Sequence, residues 1–571
     1  MKEEYIKTDV LVIGGGGAGL RAAIEAASMN GVKTCAVSKS IMGSGNTRMS
    51  TGNFCVALDP PDSTEIHFTD TIKGGGYIND QNLARRVIEN GPEQLLALER
   101  FGCLFRRQGE LLDRLEGEAR GGHSHPRGRG PIGEGLGIVR MLGAEALRLG
   151  VESFEETMVT RLLLDKKGRV AGATAVDIIN GTFRVFSAKV VILAAGGAGQ
   201  IYLYSTNSTL NTGDGYALAY RAGAELRDME MVQFMPFCFA YPDSQKGRML
   251  GEGGHYGAKV KLLNKEGDRF MERYDPQKLE RATRDTVSRS IFLELLAGRG
   301  TDYSAVWLDN REGREGLDFF RDRYPIMYKR TKDFYGLEAA EWLKPFEVMP
   351  AVHYFMGGVK VENYRSNLER LYVIGENAGG VHGGNRLGGN SMLEIMVSGA
   401  LAGREAALES KELDFPALED GWIRIEKDRI SRLITREGKE EDSYKVVEKI
   451  KKLSWEKAGL VRNGKALREG IGELEALKEE FEKIGLSNRS LTYNLELRTA
   501  LEAENMLTVS EMVFRSALER EESRGAHYRS DFPNRNDDQW LQNVIVFMDE
   551  GKMKIRTADV ELTFLRSERT A

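Results

Sequence analysis

Gly14, Gly16 and Gly19 follow directly on the apolar run Val10–Ile13 and open a segment of helical spacing. Glycines so placed do anion chemistry. The first permits a tight turn, the second lets backbone N–H groups approach a pyrophosphate, and the third lets the helix pack on the strand with its N-terminus facing the anion. LRAAIEAASMNG (20–31) and a second apolar strand, VKTCAVSK (32–39), complete a βαβ unit, which makes this a dinucleotide-binding pattern rather than an isolated glycine turn. The second strand ends in Ser38-Lys39, where an acid usually holds the ribose hydroxyls; a serine hydroxyl can also make that contact.

Such a turn needs a sheet behind it. Apolar strand-like runs at 8–13, 33–37, 161–164, 189–194 and 371–374 alternate with helical spacing over 17–29, 83–101 and 137–149, the signature of an α/β sheet. The 571 residues exceed one core. Glycines outnumber prolines 65 to 13 and cluster again at 43–52, 121–136, 196–199, 251–257 and 375–389, so backbone approaches something closely at several distant points. From about 412 the character changes. Residues 420–520 are rich in Glu, Lys, Leu and Arg at helical periodicity and lack proline, 531–538 form a turn-rich link, and 555–565 form a strand.

A net charge of −5, from 80 basic and 85 acidic residues, gives no overall field for nucleic acid. Cys35, Cys55, Cys103 and Cys238 are scattered without a CxxC pair, which argues against a zinc site, a resident iron–sulfur cluster or a disulfide framework and fits the cytoplasm. His123 and His125 stand two apart with no acidic or cysteine partner, so no metal is expected. No export leader is expected and no apolar run comes near ~18 residues, so contact with a membrane, at its cytoplasmic face, would need a partner.

AAGGAGQIY (194–202) follows a further apolar strand, TGDGYALAYRAGAEL (212–226) comes soon after, and LYVIGENAGGVHGGNRLGGNSMLE (371–394) again runs from strand through glycine into helix. With the N-terminal unit, these segments resemble the FAD contacts of the succinate dehydrogenase and fumarate reductase flavoprotein family, which includes L-aspartate oxidase. The similarity extends through TRDTVSRS (283–290), HYFMGG (353–358) and EESRGAHYRSDFPNRNDDQWL (521–541). It implies an α/β chain: a Rossmann-like FAD-binding domain (1–228 and 346–411), an inserted α+β capping domain (229–345), a helical domain (412–520) and a small C-terminal domain (521–571).

By the same resemblance, Gly14, Gly16, Ala18 and Gly19 hold pyrophosphate, and Ser38 and Lys39 sit by the adenosine ribose. Ser44, Asn46, Thr47, Gly52, Ala195 and Gly196 add cofactor contacts, Asp214 and Glu376 hydrogen-bond flavin or ribitol, and Asn390, Ser391 and Leu393 close over the isoalloxazine with Arg386. The helix dipole after Gly389 would stabilise negative charge on reduced flavin. Respiratory members tether the flavin through a histidine; Asn46 stands there, so the FAD is expected to be non-covalent.

The resemblance also implies a substrate site. His353 and Arg386 meet one substrate carboxylate, the guanidinium by two parallel hydrogen bonds. Arg284 protonates the α-carbon of an unsaturated acid while hydride reaches the other alkene carbon, and Glu252 matches a relay glutamate that restores its proton. Two departures matter. In QFMPFC (233–238), Met235 replaces a histidine for the second carboxylate, and LGEGGHYGAK (250–259) lacks the relay's arginine partner and a threonine contact, leaving His255 or Lys259 to compensate. The expected substrate is therefore a small carboxylic acid with one carboxylate and a bulkier or less polar far end suited to Met235 and Phe237. Electrons would pass to or from an iron–sulfur partner. L-aspartate oxidase and a non-catalytic electron-relay protein remain as alternatives.

Overall fold

The computed structural model describes residues 1–109, 111–114, 119–436 and 442–567. Its largest sheet contains β1 (Glu3–Ile13), β2 (Thr34–Val37), β3 (Glu152–Phe154), β4 (Thr157–Leu164), β5 (Val170–Asp177), β6 (Phe183–Leu193) and β7 (Leu371–Val373). The order is β3-β2-β1-β6-β5-β4, with β7 parallel to the end of β6. The strands β3, β2, β1 and β6 are parallel, and β5 and β4 return antiparallel. Parallel strands covered on both faces leave no solvent side, so Val10–Ile13 and Thr34–Val37 are buried throughout.

Four helices carry residues toward the site: α1 (Gly17–Ala27), α2 (Asn46–Met49), α3 (Arg284–Leu296) and α4 (Asn390–Lys411). The helices α1 and α4 cross in close contact because glycines line the seam. A Cβ at Gly399 or Gly403 would meet the carbonyl oxygens of Ala18 at 2.8 Å and Ala22 at 2.5 Å.

A second, antiparallel sheet runs Met249–Gly251, Val232–Phe239, Phe346–Phe355, Val306–Asp309, Lys261–Leu263 and backs onto its own aromatic core, including Phe237, Tyr256 and Trp342. It crosses the boundary expected between 345 and 346. The strand Phe346–Phe355 pairs within the cap and also carries His353 and Tyr354 into the site.

The helices Asp420–Thr435, Ser443–Ala458, Gly464–Phe481 and Leu495–Glu519 bear out the helical periodicity, but Leu501, Val509 and Phe514 share one buried cluster with the large sheet rather than forming a separate core. Nor does the C-terminal segment stand alone. Its hairpin, Gln542–Asp549 with Lys552–Asp559, extends a sheet begun by Ala378–Gly379, Gly358–Lys360 and Leu226–Arg227. The last strand stops at Asp559, short of the expected 565, because Gln81 takes over: its Oε1 accepts from Phe564 N and Leu565 N, both at 2.8 Å, and its Nε2 donates to Leu565 O at 2.7 Å. Arg520, buried between Glu230 (2.7 Å) and Glu522 (3.0 Å), ties this segment to the centre, and Arg524 pairs with Glu522 (2.7 Å) and Asp537 (2.8 Å) inside it. No helix among the described residues is long and apolar enough to cross a membrane.

Candidate active site

Two cavities meet beneath the cap. The first, ≈ 130 Å³, lies at the ends of β1 and β2. Gly14 has φ 124°, and a Cβ there would fall 2.1 Å from Ala194 O. Gly14 N–H is occupied by Val37 O at 2.8 Å, whereas the N–H groups of Gly15 and Gly16 donate to nothing within the described residues. Free N–H groups at the start of α1 fit the pyrophosphate of a dinucleotide. Of the expected contacts, Gly14, Gly16, Ala18, Ser38, Lys39, Ser44, Asn46, Thr47, Ala195, Gly196, Asp214 and Glu376 line this cavity.

Four expected contacts lie outside both cavities. Gly19 serves helix–strand packing, since a Cβ there would sit 1.9 Å from Gly14 O, and Gly52 packs against the Glu134–Gly135 backbone. Asn390 is bound to His67 Nε2 at 2.8 Å and donates to Thr71 Oγ1 at 2.9 Å, and Leu393 packs against Gly91. Lys39 and Asp214 line the cavity but are committed to each other. Lys39 Nζ reaches Asp214 at 2.6 Å and Glu502 at 2.9 Å, and Asp214 also accepts from Asn505 at 2.8 Å. They form a buried ion cluster joining the nucleotide side of the cavity to Leu495–Glu519.

The second cavity, ≈ 170 Å³, shares Asn46, Thr47, Glu376 and Ile395 with the first and brings together His353, Arg386, Arg284 and Ser391. Asn46 Oδ1 accepts from Ser208 N at 2.8 Å, fixing it at the junction. Arg386 donates to Ser391 Oγ at 2.9 Å and to Gln233 Oε1 at 3.1 Å, lies 4.5 Å from the Tyr354 ring centre, and keeps a buried Nε without a partner. Burial, and then the charge of Arg284, push its guanidinium down to about 9. Arg284, at the N-terminus of α3, gives Nη1 to the same Gln233 oxygen at 3.1 Å. Its Nε and Nη2 bind Glu252 at 2.8 Å and 2.9 Å. Burial works to raise the Glu252 carboxyl, but Arg284, with Arg120 and His255 adding to it, holds the group well below the carboxylate range.

Glu252 does not line the cavity; it stands behind Arg284. LGEGGHYGAK lacks an arginine beside Glu252, and Arg120 stands there instead, its Nη1 3.6 Å from Glu252 Oε1. Arg120 lines both the second cavity and an open cleft of ≈ 1210 Å³. His353 is neutral, because burial and then Arg284 and Arg386 hold it well below its ordinary value. Its Nδ1 lies 2.7 Å from Thr206 Oγ1. Phe237 belongs to the cap core rather than the cavity, and Lys259 pairs with Glu315 at 2.6 Å on the surface, so neither plays the part expected of it. His255 does line the cavity. His123 holds the carbonyl of Gly388 at 2.9 Å and meets Arg127 at 2.8 Å.

Arg120, Thr206, Arg248 and Arg330 carry no signal in the sequence that marks them for the site, and Tyr354 lies in HYFMGG without being marked by it. Gln233 opens QFMPFC, and only its contacts show that it joins two arginines. Arg248 and Arg330 lie in segments without informative spacing.

Residues 9–392 match the family model described as FAD binding domain, and 447–571 match the one described as Fumarate reductase flavoprotein C-term. The chain is 38% identical over 96% of its length to a component of the CoM/CoB fumarate reductase of Methanothermobacter marburgensis, covering 98% of that protein. It is 33% identical over 97% of its length to the fumarate reductase flavoprotein subunit of Mycobacterium tuberculosis, also covering 97% of that protein. A solved variant of E. coli quinol fumarate reductase superposes with TM-score 0.91 at 29% identity, over 100% of this chain and 99% of that one. With its glycine cradle and paired arginines in place, the chain belongs to the fumarate reductase and succinate dehydrogenase flavoprotein family, whose members are FAD-dependent oxidoreductases of CH–CH groups.

Proposed function

We propose that this flavoprotein reduces an α,β-unsaturated carboxylic acid other than fumarate, with non-covalently held FAD and electrons arriving from an iron–sulfur partner. The observation that carries this is the junction of the two cavities at Asn46 and Glu376, with Arg386, Arg284 and His353 on its substrate side.

Arg386 has a spare Nε and no carboxylate of its own, so a substrate carboxylate supplies the missing counter-charge. His353 adds a hydrogen bond from Nε2–H once Thr206 donates to Nδ1. Bound FAD, once reduced by the electron-donating partner, would supply the electron pair as hydride to the β-carbon. Arg284 gives a proton to the α-carbon and, as a fixed cation, stabilises the charge that develops there. Glu252 returns a proton to Arg284, and Arg120 connects Glu252 to the open cleft. The product has gained one hydride and one proton. Met235 offers no donor where a short diacid needs its second partner, which argues against fumarate.

Oxidation of a reduced dye by the FAD-loaded chain tests the reading across fumarate, aliphatic enoates and aromatic enoates. Turnover of a longer enoate above fumarate, abolished in Arg284→Ala, is expected; fumarate as the best acceptor would refute the assignment to Met235. Peroxide release with aspartate would favour an aspartate oxidase instead.

A further inference from the structure

We infer that the second cavity contains a distal anion subsite, formed by Arg248 and Arg330, and that the substrate is an unsaturated acid carrying another anionic group further from the double bond than in fumarate. This rests on the proposed function and names its substrate class.

Arg248 and Arg330 both line the substrate cavity. Neither makes an ion pair or side-chain hydrogen bond among the described residues, although most arginines of this chain do. Both are half-buried, and burial pushes the Arg330 guanidinium down. Arg330 is drawn by Glu134 without pairing with it, and repelled by Arg248. Two neighbouring cations that make no ion pair in a partly desolvated wall are stabilised when an anion joins them. Paired guanidiniums suit a carboxylate, which each can meet with parallel hydrogen bonds.

This pair is separate from the inner clamp. The inner two arginines are buried and hydrogen-bonded through Gln233, whereas the outer two are half-exposed and make no side-chain hydrogen bond among the described residues. Met235 and Met249 line the same cavity and suit an apolar body between two charged ends. His255 adds a donor. Its Nδ1 accepts from Glu252 N at 3.0 Å, so the neutral ring carries its proton on Nε2, which is buried without a partner. Met235 thus excludes a second carboxylate close to the first, while Arg248 and Arg330 receive one further away.

Calorimetric titration of the FAD-loaded protein with succinate, adipate and hexanoate tests the subsite independently of turnover. Adipate is expected to bind at least about tenfold more tightly than either other acid, the worth of one added charge-assisted contact. Arg248→Gln or Arg330→Gln should collapse the adipate-to-hexanoate ratio, and Arg248→Lys should restore most of it. Equal binding of adipate and hexanoate by the natural chain, or a ratio untouched in both glutamine variants, overturns the inference without any variant having to be interpreted for folding. Enoate turnover without diacid preference would sink only the subsite; diacid-selective binding without turnover would sink only the reaction.

Discussion

Arg284 and Glu252 form a two-point contact, Nε to Oε2 at 2.8 Å and Nη2 to Oε1 at 2.9 Å, from the first turn of one helix to the cap sheet. Both side chains are buried, so each fixes the other's charge and direction. Glu252→Gln keeps the shape but removes the proton acceptor. Turnover should fall by about 10²–10⁴-fold, the usual span for a lost acid–base group, with KM little altered. Steady-state kinetics with the best enoate decides it, and an unchanged kcat would exclude a relay through Glu252.

Arg120 extends that contact toward the open cleft. Arg120→Met should lower kcat and produce a solvent isotope effect larger than in the natural chain, because proton return becomes limiting. A drop in flavin content with an unchanged isotope effect would make Arg120 a packing residue.

Asn46 lies at the junction of the cavities, and its amide cannot form a histidyl–flavin bond. Acid precipitation should release the whole flavin into the supernatant as FAD and leave a colourless pellet. Yellow protein after denaturation would contradict this.

Gly14→Ala should abolish flavin retention, since its Cβ would fall 2.1 Å from Ala194 O on a residue at φ 124°. Absorbance of the purified variant near the flavin bands measures it directly.

Burial raises the Glu376 carboxyl to about 7 and that of Glu394, with Glu376 adding to the effect, to about 8. The folded chain therefore keeps protons that the unfolded chain loses above pH 4.5. Stability from this source is complete below pH 4.5 and declines as pH rises toward 8, by about 1.4 kcal/mol per pH unit for each such group. Glu394→Gln should flatten the slope of unfolding free energy between about pH 5 and 8, and denaturant titrations giving the natural slope would count against it.

The sheet and the glycine cradle were legible because each is local: β-branched runs make buried parallel strands, and Gly14 to Gly19 carries its reason in its own spacing. His353 and Arg386, far apart in the chain, were legible only through the family resemblance that HYFMGG and HGGNRLGG carry. Long-range charge pairing was hidden. Nothing in the order of residues says that Arg120 would stand beside Glu252, or that Lys39 would pair with Asp214 and Glu502. Nor could periodicity reveal that Phe346–Phe355 serves two units, because a strand's pattern reports burial and not its partners.

The hairpin Gln542–Asp549 and Lys552–Asp559 is the last regular structure among the described residues, yet it pairs with Leu226–Arg227 near the middle. During translation that short internal strand must wait, one edge unpaired, while more than half of the polypeptide is still being made. A chain that stops before Arg520 thus keeps an open edge at Leu226–Arg227 and leaves Asp228 and Glu230 without their buried arginine.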